Sequence, residues 1–359
     1  MWPKKTVQFL KLWEITHPII QAPMAGGITT PELISAVSEN GAMGSIGAGY
    51  LTPGILDAEI KGVKRLTEKP YNVNLFITAD KEIDFTPPPE IKDILQKYAD
   101  ELGIQFNVSD LNFPDFEEQF EVVIDNNVPI FSFTFGFPEK KYMDELKRNK
   151  IKIIGTATSV DEAALLEEKG CDAVVAQGFE AGGHRGSFNS DNGLPLIGGI
   201  ALIPQIADKI DIPVIASGAI MDGRGIIAAL SLGASAVQMG TAFLGCNEGI
   251  VNEKWLEGLF NSSDTTTDLT KAFTGKYARG LRNRFMDEMK QYEALIPEYP
   301  IQNQLTRDIR AKAREENNPD FMSYWAGQGS SMCRETTANE LINSLIKECD
   351  SVLSDLKTD

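Results

Sequence analysis

With 359 residues and 42% hydrophobic side chains, the chain can form one large domain or two ordinary ones. Its 51 acidic residues against 34 basic ones leave a net charge of −17, which excludes nucleic acid as a partner because phosphates demand a basic surface. The same charge disfavours anionic membrane surfaces, and no apolar run approaches the roughly 20 residues of a membrane span. The opening ten residues lack a sustained apolar stretch and a small-residue cleavage site, so a cytoplasmic protein is expected. Cys171, Cys246, Cys333 and Cys349 are scattered without a C-x-x-C pair, and His17 and His184 lie far apart. Reduced, structural thiols and no metal site follow from that spacing.

In chain order, apolar runs alternate with helical patterns. The run His17 to Met24 precedes a helix from Pro31 to Glu39, its proline in the first turn. Met43 to Ala48 precedes a helix from Pro53 to Leu66, and Tyr71 to Ile77 is the third run. After an interruption come Pro129 to Phe135, Lys152 to Ala157, Asp172 to Gln177, Pro213 to Ile220 and Ala236 to Leu244. Helices are expected at Val160 to Lys169 and Gly223 to Leu232. Strands alternating with helices imply parallel pairing through right-handed crossovers, and eight units close into a TIM (β/α)8 barrel over residues 1–244. The interruption at 80–125 carries 13 Asp/Glu against 3 Lys and a Pro87-Pro-Pro run, and reads as an acidic insert with helices of its own, placed to cover part of the barrel mouth. Residues 245–359 read as a mainly helical extension with a polar loop at Ser262–Asp268, packed on the barrel and helping to form the substrate pocket.

The run Ala173-Val-Val-Ala opens directly into Gln177-Gly-Phe-Glu-Ala-Gly-Gly-His-Arg-Gly. Open α/β and barrel proteins place their chemistry at such carboxyl strand ends, so His184 is the candidate catalytic residue rather than a loop histidine capping a carbonyl. Arg185 has two readings, an anion contact or an ion pair that fixes the loop, with Glu180 as partner. Strands seven and eight end in Ser217-Gly218 and Gly240-Thr241. Barrels commonly bind phosphate there, and glycines let backbone N–H groups approach the oxygens closely. Gln21, Pro23 and Met24 at the end of strand one, Asn74 on strand three, Gln177 at the end of strand six and Gln238 on strand eight stand around the same mouth, and the amide side chains among them suit a heterocycle with alternating carbonyls and nitrogens.

Five segments together resemble the class I nitronate monooxygenases, formerly called 2-nitropropane dioxygenases. They are Gln21-Ala-Pro-Met-Ala-Gly-Gly through Gly49-Tyr50, Ala176 to Gly186, Val214 to Gly225 running on to Val237-Gln-Met-Gly-Thr-Ala-Phe-Leu, Phe273 to Phe285, and Tyr324-Trp-Ala-Gly-Gln-Gly. The resemblance implies non-covalent FMN in a TIM barrel and oxidation of alkyl nitronates by O2 to carbonyl compounds and nitrite, without nicotinamide. Propionate 3-nitronate is the natural substrate it suggests. It places FMN on Pro23, Met24, Asn74, Gln177, Gly182, Gly218, Gln238, Met239, Gly240 and Thr241, and the active-site histidine on His184. The partners it implies are a small-molecule nitronate and O2; assembly stays open between a monomer and a homodimer. Ala219 departs from the family's second glycine and is tolerable there if its φ is negative.

A nitronate is an anion, so its site needs donors or positive charge. His184 can supply either, since an imidazole ordinarily titrates near neutral pH, or it can act as general base on a neutral nitroalkane. Two alternatives remain: an FMN-dependent enoyl-acyl carrier protein reductase with a similar His loop, and a non-enzymatic FMN-binding protein. Arg185 speaks against the reductase, whose residue at that place is typically apolar.

Overall fold

Each of the eight apolar runs forms one parallel strand in the computed structural model, which describes residues 2–77, 85–107, 113–189 and 193–356. These strands are β1 (Ile19–Gln21), β2 (Gly44–Gly47), β3 (Tyr71–Phe76), β4 (Ile130–Thr134), β5 (Lys152–Ala157), β6 (Ala173–Gln177), β8 (Val214–Ser217) and β9 (Ala236–Met239); a two-residue β7 (Gly183–His184) lies outside the barrel. Their order is β1-β9-β8-β6-β5-β4-β3-β2. The ring closes between β1 and β2 through a parallel bridge at Ile20 and Met43, where Gln21 N–H donates to Met43 O at 2.8 Å and Met43 N–H to Ile19 O at 3.0 Å. The fold is therefore a TIM barrel, and its strand edges pair with one another.

Helix ends follow local chemistry. Pro31–Glu39, Pro53–Leu66 and Val160–Lys169 take the predicted limits, and each begins where Thr30, Thr52 or Ser159 accepts a hydrogen bond from the first turn. Gly223–Ser231 stops one residue short of the expected Leu232 and is capped by Asp222. A helix at Lys4–Trp13, absent from the sequence reading, closes the barrel's amino end. There Phe9 and Trp13 stack with ring centroids 5.2 Å apart and join Ile20, Met43, Ile130, Ile154, Val175 and Ile215 in a buried cluster of their own. Further along the barrel axis the interior turns polar. Asn72 donates to Ser132 Oγ at 2.9 Å, as does Asn74.

The interruption contains the missing crossover. Phe116–Asp125 packs against Pro53–Leu66 and β3, which is the place of the helix between β3 and β4. A second helix, Pro89–Glu101, turns towards the carboxyl-terminal part: the Tyr98 ring lies 5.2 Å from Phe285 and 5.1 Å from Phe321, and Arg284 holds Glu101 at 2.6 and 2.9 Å. Residues 80–84 and 108–112 of the acidic insert lie outside the described residues.

Beyond Leu244 the chain is not only helical. Part of the expected Ser262–Asp268 loop runs into β10 (Thr267–Thr270), which pairs antiparallel with β11 (Ala278–Leu281), and β11 pairs with β7. These strands are four residues or fewer, and β11 carries a glycine and an arginine, so no apolar period announces them. Long-range pairing makes them strands. The last helix, Ala338–Asp355, packs on Gly223–Ser231 and Pro31–Glu39, joining the outer helical layer.

Candidate active site

The register of β7 with β11 puts His184 opposite Ala278, so the carboxyl-terminal part of the chain supports the loop that leaves β6. Arg185, 1% exposed, is the internal anchor of that loop. Its guanidinium donates to Gly178 O at 2.7 Å and to Gln177 O, Gln177 Oε1 and Pro195 O at 3.1 Å. The expected ion pair with Glu180 does not form. Glu180 is committed to Gly199 N–H, at 2.9 Å, on the first residue of the helix Gly199–Lys209. The converging carbonyl oxygens take the two terminal nitrogens of the planar fork, while Arg185 Nε is buried without a partner among the described residues. Burial lowers the Arg185 pKa to about 10, with Glu162 and Glu180 opposing that from a distance.

A second anchor escaped the sequence reading. Glu162, fully buried, accepts from Thr158 N–H at 2.6 Å and Thr158 Oγ at 2.8 Å, and from Phe188 N–H at 2.7 Å and Asn189 N–H at 3.0 Å. It thereby fixes both the start of its own helix and the chain beyond His184. Ser159 Oγ accepts from Glu162 N–H at the start of this helix, and only the tertiary structure brings Phe188 to the Glu162 carboxylate.

His184 is enclosed by aromatic rings: Phe135 at 5.5 Å, Trp325 at 5.6 Å, Phe76 at 6.0 Å and Tyr299 at 6.2 Å between centroids. Its Nε2 lies 2.9 Å from Thr274 Oγ. Burial first, then the charges of Lys276 and Arg310, push its pKa down to about 3. The imidazole is therefore neutral at pH 7, not poised near neutrality as an isolated side chain would be. Lys276 sits over the Phe135 ring at 4.5 Å, and neither it nor Arg310 forms an ion pair among the described residues.

His184 and all ten residues expected to touch the cofactor line one cavity of about 1160 Å³, open mouth included. Pro23 and Met24 follow β1, Asn74 lies in β3, and Gly218 and Gly240 follow β8 and β9. Gln177 is partly spoken for: its carbonyl oxygen accepts from Arg185 and from Gly186 N–H, and its amide donates to His184 O at 2.9 Å. Gly182 has no room for a side chain, since a β-carbon would meet Ala326 C and Gly327 N at 2.5 Å. Gly327 N–H in turn donates to Thr241 Oγ at 3.0 Å, so the segment around Trp325 ties the His184 loop to the end of β9. The condition set for Ala219 fails: its φ is +50°, beside Gly218 at +125°, so a methyl-bearing residue stands in the left-handed region.

Tyr50, Phe76 and Trp325 complete the wall and were not singled out as site residues. Tyr50 and Trp325 lie in the segments that resemble the family, and Phe76 is signalled only by its place at the end of β3. His17 lies at the amino end of the barrel, away from this site, beside Gly41.

The family model described as nitronate monooxygenase matches residues 8–348. A protein described as a probable nitronate monooxygenase from Staphylococcus aureus (strain Newman) is 43% identical over 358 residues, covering 98% of this chain and 99% of the relative. Among solved structures, nitroalkane oxidase from Streptomyces ansochromogenes superposes with a TM-score of 0.88 at 36% identity, covering 97% of this chain and 100% of that one. FabK from Thermotoga maritima gives a TM-score of 0.76 at 31% identity, covering 97% of each chain.

Proposed function

Because the chain belongs to the nitronate monooxygenase family, and is thereby an oxidoreductase, we propose that it oxidises alkyl nitronates with O2, using FMN and no nicotinamide. The products of this reaction are carbonyl compounds and nitrite, and propionate 3-nitronate is the natural substrate the reading favours. The observation that carries it is the convergence on one cavity of a neutral histidine and a set of donors suited to a flavin phosphate and ring.

The donor set fits FMN. The backbone N–H groups of Gly218, Ala219, Gly240 and Thr241 have no main-chain partner among the described residues, which suits a phosphate at the ends of β8 and β9. Tyr50 Oη is buried without a partner in the cavity wall, and Asn74 and Gln238 present amides to the same space. A bound flavin would supply the electron transfer from nitronate to O2. The chain's own part is binding and proton control. Lys276 and Arg310 place unpaired positive charge near His184, which favours an anionic substrate, and the aromatic enclosure keeps water away from it. Neutral His184 can accept the α-proton of a nitroalkane, whereas a nitronate arrives without one.

The similarity to FabK keeps the enoyl reductase as the second reading. One experiment separates the two. Purified protein supplied with a nitronate and O2 should release nitrite without NADH or NADPH, and denaturation should free FMN. Rapid NADH loss on a crotonyl thioester, with no nitrite from the nitronate, would assign the reductase instead.

A further inference from the structure

The contact between His184 and Thr274 fixes more than the position of the ring. Thr274 Oγ lies 3.1 Å from Lys276 O, which can only accept, and giving the single hydroxyl proton to it is the arrangement that satisfies this carbonyl. Lys276 N–H points back to the same hydroxyl oxygen at 3.4 Å. What remains for His184 Nε2, 2.9 Å away, is a lone pair on Thr274 Oγ. The nitrogen facing a lone pair must carry the hydrogen. His184 Nδ1 has no hydrogen-bond partner among the described residues and is not one of the sealed, unpartnered side-chain atoms, so it opens onto the cavity that the ring lines.

We infer that Thr274 locks His184 in the Nε2-protonated tautomer and so makes Nδ1 the atom that accepts the α-proton of a neutral nitroalkane. In that step the C–H bond breaks, the proton forms a bond to Nδ1, the C–H electron pair becomes the C=N bond, and an N=O pair shifts onto oxygen, so the nitronate carries the negative charge on its two oxygens. Thr274 touches neither substrate nor reacting atom and is a positioning residue. The proton-transfer half of the inference rests on the functional reading above; the tautomer half does not. Thr274 is 1% exposed and held by the turn Thr274-Gly-Lys276, so the hydroxyl cannot readily turn to another acceptor.

The presence of only two histidines makes the test direct. Protein labelled with 15N at its histidines gives two imidazole spin systems, and His17→Gln identifies which belongs to His184. The wild-type spectrum should show His184 with Nε2 in the protonated range and Nδ1 in the unprotonated range. In Thr274→Val, which keeps the shape but loses the acceptor, that pattern should average or invert. With flavin content matched, kcat for a neutral nitroalkane should fall at least about tenfold, less than the about 10²–10⁴-fold of full general-base assistance because His184 itself is kept, while KM changes little and nitronate turnover falls less. Thr274→Ser should restore both the spectrum and the rate. A protonated Nδ1 in the wild type, or an unchanged tautomer in Thr274→Val, overturns the inference. The wild-type spectrum decides this even if the valine variant fails to fold. Absence of nitrite release from the wild type with the expected tautomer present would instead break the functional reading and leave the tautomer assignment standing.

Discussion

The two ends of the barrel are built on the same eight strands from opposite kinds of side chain. At the amino end, Ile20, Met43, Ile130, Ile154 and Ile215 meet Phe9 and Trp13 in a purely apolar cluster sealed by the helix Lys4–Trp13. At the carboxyl end the inward positions are Asn74, Gln177, Ser217 and Gln238, and the closing elements are loops and the antiparallel strands β7, β10 and β11. Apolar burial is non-directional and needs only volume, whereas a polar cavity needs each amide and charge to be held by specific partners. This is why the amino end closes with a single helix, while the mouth needs Arg185, Glu162 and Thr274 brought in from three different stretches of chain. The division predicts that substitutions at one end change activity and those at the other change stability.

The largest expected effect is at the mouth. His184→Asn should reduce turnover of neutral nitroalkanes by about 10²–10⁴-fold, the usual contribution of general-base assistance. Anionic nitronates should keep a larger share of their rate, and the urea unfolding midpoint should hold. Steady-state rates on both substrate forms, with flavin content measured first, test this. Comparable losses on both would make His184 a binding residue, and full activity on both would remove it from the mechanism.

Trp13→Ala is the counterpart at the amino end. Its ring is fully buried, and truncating a buried Trp typically costs about 3–5 kcal/mol. Urea denaturation should show that loss while kcat per bound flavin stays at the wild-type value. A fall in kcat with flavin intact would mean that the two ends are mechanically coupled and the division is wrong.

A smaller effect comes with pH. The folded pKa of His184, about 3, lies below its unfolded value near 6.5, so between the two the unfolded chain binds a proton that the folded chain refuses. The stabilising contribution is fully present above about pH 6.5 and is lost as the pH falls towards 3, at up to about 1.4 kcal/mol per pH unit. His17 at the amino end is lowered in the same direction, also by burial. Urea unfolding at pH 7, 6 and 5 should show a falling midpoint whose slope is largely removed in His184→Asn and changed less in His17→Gln. Equal slopes in wild type and His184→Asn would place the imidazole in a far wetter setting than the aromatic cage around it.

How much of this was legible in the sequence follows the same division. The barrel strands were readable because strands buried on both faces leave runs such as Ala173-Val-Val-Ala, and helix limits were readable where Thr30, Thr52 and Ser159 mark them locally. The residues expected around the cofactor were legible from motif and strand end, and the structure brings them to one cavity. The support of the mouth was not. Thr274 is 90 positions from His184, and no local pattern says that its hydroxyl meets that ring. Sequence complementarity pointed Arg185 at Glu180, but the loop's carbonyls claimed the guanidinium and a helix N-terminus claimed the carboxylate. The environment that depresses the His184 pKa is likewise assembled from Phe135, Tyr299 and Trp325, three segments with no shared period.

The smallest effect lies in the backbone of the mouth, at Ala219. At φ +50° its β-carbon crowds the following carbonyl, a conformation that costs a non-glycine residue roughly 1–2 kcal/mol. Its methyl group is exposed, so little packing is lost on removing it. Glycine would relieve the crowding, but it also gives the unfolded chain more freedom to lose, an opposing term of about 0.4–1 kcal/mol. The two largely offset each other, and Ala219→Gly should stabilise the protein by about 0–1.6 kcal/mol. The expected readout is a slightly raised urea midpoint with an unchanged slope. The backbone N–H of residue 219 keeps its place beside Gly218, so flavin retention should hold within error. A loss of stability beyond about 1 kcal/mol, comparable to an ordinary glycine penalty, would mean that residue 219 is not left-handed in the folded protein. A marked loss of flavin at unchanged stability would mean instead that the alanine stiffens the phosphate loop, so that the residue departing from the family pattern preorganises the mouth.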